Sequence, residues 1–196
     1  MYYSNIKTLI WITVLLFSCQ VFSEEDKYAS VRASLQTCTA CHGENGVSEV
    51  GTYPILAGQE FYYVYVQLKD FKSGLRQNEI MSPLVAHLEK SELKLIAEFF
   101  SKQDWPKNKV KLSAEKKKIA KKVIDSGQCA ACHLGSFEGN SRNPRLANQH
   151  VEYLRKTMLD FKNRTRKNAQ PMNALFATYS EIEIDAVAEY LAGFKK

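Results

Sequence analysis

One five-residue pattern occurs twice in this chain. Cys38-Thr39-Ala40-Cys41-His42 returns 91 positions later as Cys129-Ala130-Ala131-Cys132-His133. The repetition continues well past the cysteines. Pro54-Ile55-Leu56-Ala57-Gly58-Gln59 returns 90 positions on as Pro144-Arg145-Leu146-Ala147-Asn148-Gln149. At the same offset Tyr63 matches Tyr153, Asp70-Phe71-Lys72 matches Asp160-Phe161-Lys162, and Arg76 and Asn78 match Arg166 and Asn168. Met81 matches Met172 at 91 again, so one deletion after His133 and one insertion near Pro171 account for the drift. A fixed-period series of this kind marks a duplicated structural unit. Whatever this chain folds into, it must do so twice.

Cys-x-x-Cys-His is the attachment signature of c-type haem. Residues three apart share one face of a helical turn, so both sulfurs reach the vinyl groups of one porphyrin. The histidine that follows then sits beneath the iron. A zinc site made from two Cys-x-x-Cys knuckles places them roughly 15–20 residues apart, far closer than here. A thioredoxin-like dithiol requires a sheet-forming pattern nearby, and none is present. Cys38, Cys41, Cys129 and Cys132 are therefore expected to carry two covalent haem c groups, with His42 and His133 on the two irons.

The repeat also places the second axial ligand. Met81 lies 39 residues after His42, and Met172 lies 39 after His133. A lone methionine is ordinarily core filling, but two at equivalent distances from two haem motifs are expected to be ligands. Met158 has Leu68 at its equivalent position and is expected in the core. His87 and His150 lack histidine partners in the repeat and are taken as ordinary polar residues. A thioether raises the reduction potential relative to bis-histidine ligation and fills the sixth position. Such an iron passes single electrons and leaves no open site for a substrate.

Residues 1–23 have the form of a signal peptide. Lys7 gives a short basic start, Leu9–Phe17 is apolar except for Thr13, and Val21 and Ser23 are small residues before the expected cut. A run of nine residues falls short of the roughly 20 that span a bilayer. Export to the periplasm follows, with Glu24 as the mature N-terminus. Cys19 loosely resembles a lipoprotein site, but the bulky Phe17 disfavours a lipid anchor there. The net charge of +6 is unevenly spread. Residues 24–112 carry 11 Lys/Arg against 12 Asp/Glu, whereas residues 113–196 carry 15 against 9. No nucleic-acid-binding pattern accompanies this charge. It is a solvated helix face or a docking surface for an acidic partner.

Only short helices are expected. Asp26–Gln36 and Ala114–Asp125 lead into the two motifs, and Phe61–Phe71 and Val151–Phe161 show amphipathic spacing. Final helices start at Ser91 and at Ser180, the latter with Glu183 as a capping box. Pro106 breaks the preceding helix, so the linker is placed between Trp105 and Ser113. This gives domains at 24–112 and 113–196.

Both haem motifs, the Pro-x-Leu-Ala-x-Gln segments, the Phe-Lys-x-x-x-Arg segments and both methionines together resemble the cytochrome c4 family over the whole mature chain. That resemblance implies an all-α fold of two tandem class I cytochrome c domains related by a pseudo-twofold axis. It implies a periplasmic carrier between a quinol-oxidising complex and a terminal oxidase. Peripheral docking at the membrane would go with that role. It also implies that Pro54 and Pro144 offer their carbonyls to the ligand histidines. Arg76 and Arg166 face haem propionates or lie on the surface. Two departures are visible: Gly43-Glu44-Asn45-Gly46 is replaced by Leu134-Gly135-Ser136 in the second copy, and Pro171 stands before Met172 where Ile80 stands before Met81.

An electron-transfer protein, not an enzyme, is thus expected. The competing reading is a dihaem enzyme of the peroxidase or sulfur-compound oxidase type, which needs one iron with a displaceable ligand.

Overall fold

A computed structural model describes residues 26–108 and 110–195. The expected signal peptide, with Cys19 and Glu24, lies outside the described residues. Among those residues the fold is helical with no strand: α1 (Arg32–His42), α2 (Phe61–Ser73), α3 (Met81–Val85) and α4 (Lys90–Ser101) form the first half. The second half comprises α5 (Ala114–Ser126), α6 (Cys129–His133), α7 (Val151–Lys162), α8 (Gln170–Phe176) and α9 (Glu181–Ala192). Among the described residues no helix is long and apolar enough to cross a membrane.

Each half has its own core. In the first, Val31 and Leu35 meet Val64, Leu68 and Phe71 from α2 and Leu93, Ile96 and Phe100 from α4. In the second, Ala120, Val123 and Ile124 of α5 meet Leu154, Met158 and Phe161 of α7 and Ile184, Val187 and Leu191 of α9. The apolar spacing of three and four residues along each helix produces these faces. Met158 is buried, in register with Leu68, as a core residue should be.

Three local features differ from the sequence expectation. The start of the first half is a turn at Asp26–Tyr28 and a 3-10 turn over Ala29–Val31, and only then α1. The last helix of the first half starts at Lys90 with Glu89 at its cap, not at Ser91. The Glu89 N–H donates to the Glu92 carboxylate at 2.6 Å, as the Ser180 N–H does to Glu183 at 2.8 Å. Glutamate is not among the residues preferred at that position, so the signal was hidden, although the Glu89 side chain here completes the capping box by accepting from the Glu92 N–H. In the first half α1 runs past the expected Gln36 and through the haem motif to His42, whereas α5 stops at Ser126, close to the expected Asp125, and Gln128 turns left-handed (φ 50°) before α6 begins.

The two halves meet across a reciprocal set of hydrogen bonds. The Ile55 N–H donates to Gln149 Oε1 (2.9 Å) and Gln149 Nε2 donates to the Ile55 carbonyl (3.0 Å). Correspondingly, the Arg145 N–H donates to Gln59 Oε1 (2.7 Å) and Gln59 Nε2 donates to the Arg145 carbonyl (3.0 Å). Arg76 Nη2 reaches the Tyr153 hydroxyl and Arg166 Nη2 the Tyr63 hydroxyl, both at 3.3 Å. Residue i contacting j while j's counterpart contacts i's counterpart is the signature of a twofold relation. Here it holds within one chain.

Candidate functional site

Each half places its motif at the end of a helix and turns the histidine inward. Cys38, Cys41 and His42 occupy the last turn of α1, while Cys129, Cys132 and His133 make up α6. Both histidines are buried. His42 Nδ1 donates to the Pro54 carbonyl and His133 Nδ1 to the Pro144 carbonyl, each at 2.9 Å. That bond fixes the ring orientation and leaves Nε2 with its lone pair free for a metal. Burial holds both imidazoles below the usual histidine range, and the proline carbonyls offset part of that effect. Each ring is thus neutral, the form that ligates.

No disulfide joins the four cysteines. Burial pushes the Cys38 thiol up to about 11 and that of Cys129 upward as well. A reactive dithiol or a thiolate metal site needs the opposite shift. Among the described residues no group of three or more His, Cys, Asp or Glu could hold a bare metal ion. Two thiols, a neutral imidazole and a half-buried thioether per half fit haem c, and they do not fit zinc.

Met81 opens α3 and Met172 lies in the first turn of α8, each half-buried against the core of its own half. Their loops are held differently. Asn78 Oδ1 accepts from the Ile80 and Met81 N–H groups (3.0 and 2.8 Å), tying the first loop locally. Its counterpart Asn168 reaches across the junction, donating to Gln67 Oε1 (3.0 Å) and Asp70 Oδ2 (2.8 Å). The Met172 N–H donates to the Ala169 carbonyl instead.

Arg76 and Arg166 are not surface residues. Each guanidinium lies over the phenylalanine ring of its own half, Phe71 or Phe161, at 4.5 Å. Both then converge on Gln67 Oε1 at 2.8 Å. Burial would raise the Tyr153 phenol, but Arg76 and Arg166 outweigh it and bring it down to about 7. Sequence reasoning missed Gln67, whose counterpart is Thr157, because the repeat gave no matching residue. It also passed over His150, whose Nε2 donates to the Ser48 carbonyl of the other half at 2.9 Å. His87 is exposed.

Two helical units, each bearing a haem-attachment turn, an oriented histidine and a methionine, define a dihaem c-type cytochrome. A family model for cytochrome c matches residues 117–195. The chain is 33% identical over 171 residues to cytochrome c4 of Thiocapsa roseopersicina, spanning 81% of this chain and 88% of that one. It belongs to the cytochrome c4 family. A crystal structure of reduced recombinant cytochrome c4 from Pseudomonas stutzeri superposes with a TM-score of 0.76 at 28% identity, covering 85% of this chain and 97% of that one. A protein of Stutzerimonas stutzeri named thiosulfate dehydrogenase electron acceptor is 28% identical, with 95% of each chain covered. The cofactors are therefore two haem c groups with Cys attachment and His/Met ligation, and the protein transfers electrons.

Proposed function

We propose that Cys38 and Cys41 attach one haem, with His42 and Met81 as its axial ligands, and that Cys129 and Cys132 attach the other, with His133 and Met172. The observation that carries this reading is the pair of 2.9 Å histidine–proline bonds, identical in both halves. It is supported by a methionine in each half at the same distance along the chain. Haem would supply the one-electron chemistry; His42 and Met81 in one half and His133 and Met172 in the other would hold its iron, and the apolar core of each half would exclude water. The C38A/C41A variant should lose one haem of the two and keep the spectrum of the other, as should C129A/C132A. Loss of both, or of neither, rejects the assignment.

On this reading the protein is exported through residues 1–23 to the periplasm. It carries single electrons from a quinol-oxidising complex toward a terminal oxidase, docking at the membrane only peripherally. The division at 24–112 and 113–196 falls in the 104–113 connection, although Val110 packs against the second core. Exposed Lys117, Lys118, Lys121 and Lys122 line the outer face of α5 and suit an acidic partner. If K117E/K121E leaves oxidase reduction and its salt dependence unchanged, this docking face is wrong.

A second reading concerns the donor. The name of the Stutzerimonas relative, matched over 95% of both chains, favours acceptance of electrons from a thiosulfate dehydrogenase. Reduction of the purified protein by such an enzyme with thiosulfate, set against reduction by a quinol-oxidising complex, decides between the two. Reaction with neither removes both.

A further inference from the structure

We infer that Trp105 and Arg145 form a seat for one haem propionate at the junction of the two halves. Trp105 belongs to the connection between α4 and α5. It lies so close over Gly58 that a Cβ there would stand 3.1 Å from the Trp105 Cβ. The Arg145 guanidinium covers the indole at 5.1 Å. Among the described residues three buried side-chain nitrogens have no hydrogen-bond partner, and two of them are Trp105 Nε1 and Arg145 Nε. Leaving one such donor unmet costs roughly 1–3 kcal/mol, and more for a charged group. Two neighbouring donors, one of them cationic, define the chemistry of what is missing: a carboxylate. Haem brings two of these. Arg145 directly follows Pro144, whose carbonyl orients His133, so it belongs to the same segment that holds a ligand histidine.

The repeat makes the seat one-sided. The counterpart of Arg145 is Ile55, which offers no side-chain donor, and at the offset that pairs Phe100 with Leu191 the position of Trp105 falls on a lysine, Lys196, which has no indole. One haem is therefore held next to an extra fixed cation. A cation near the porphyrin disfavours the more positive ferric state and raises that haem's potential. It also keeps the propionate ionised, so that this potential stays flat with pH.

The seat rests on the haem assignment above, and a count of haems per chain in every variant separates the two. Equilibrium redox titration of the two-haem protein at several pH values tests it. In R145L one potential should fall while the other holds, and the lowered one should become pH-dependent, rising as acid protonates the freed propionate. W105F keeps the ring and removes only the N–H, and should shift the same haem in the same direction by less. R142L removes an exposed charge nearby and should move neither strongly. If W105F and R145L both retain two haems with unchanged potentials and pH profiles, the seat does not exist, whatever happens to thermal stability.

Discussion

At the scale of single residues, the two copies share a backbone but not the residues that suit it. Gly43, Gly46, Gly58 and Gly74 have φ between 62° and 82°, and their counterparts Leu134, Phe137, Asn148 and Arg164 have φ between 53° and 65°. Glycine adopts that region freely; a residue with a side chain loses about 1–2 kcal/mol there. The second half tolerates it by exchanging volume. A Cβ on Gly46 would lie 2.7 Å from Phe100. In the second half the counterpart of Phe100 is the smaller Leu191, and Phe137 fills the space against Phe194 at 5.0 Å. L134G should therefore raise stability by about 1 kcal/mol in denaturant unfolding. G46A should lower it by about 2 kcal/mol or more, since strain and overlap add there. This much was not legible in the sequence: the Gly-to-Leu departure was visible, but not that the backbone stayed the same.

At the scale of elements, what the sequence revealed was whatever hydrophobic period dictates. The paired helices α2 and α7 start where the spacing placed them, at Phe61 and Val151. Met158 was legible as core because its counterpart is Leu68. M158L should cost less than about 1.5 kcal/mol and leave the haem spectrum intact. If it instead removed a thioether ligand, the roles of Met158 and Met172 would be reversed. The break between α5 and α6 was not legible. Leu35 lies three residues before Cys38, whereas Ile124 lies five before Cys129. The two extra residues, Gly127 and Gln128, are accommodated by ending one helix and starting another. Helix propensity alone carries no such signal.

At the scale of the whole molecule, the junction depends on side chains answering backbone. Gln149 is 2% exposed and satisfies both polar groups of Ile55. Q149A leaves a buried N–H and a buried carbonyl unpaired, at a cost of about 2–4 kcal/mol. Q59A should match it, because the arrangement is reciprocal. A loss below 0.5 kcal/mol in both variants would mean that water replaces the glutamines at no cost. The repeat displayed Gln59 and Gln149 as matching letters. That they face one another follows only from the twofold packing, which pattern within one copy cannot encode.

If Met81 and Met172 hold both irons as proposed, neither haem offers a site for a substrate. The visible spectrum of the fully reduced two-haem protein, recorded before and after adding carbon monoxide, should then stay low-spin and unchanged. A shift at either haem would mean a displaceable ligand there, and the protein would then have a site able to bind a substrate.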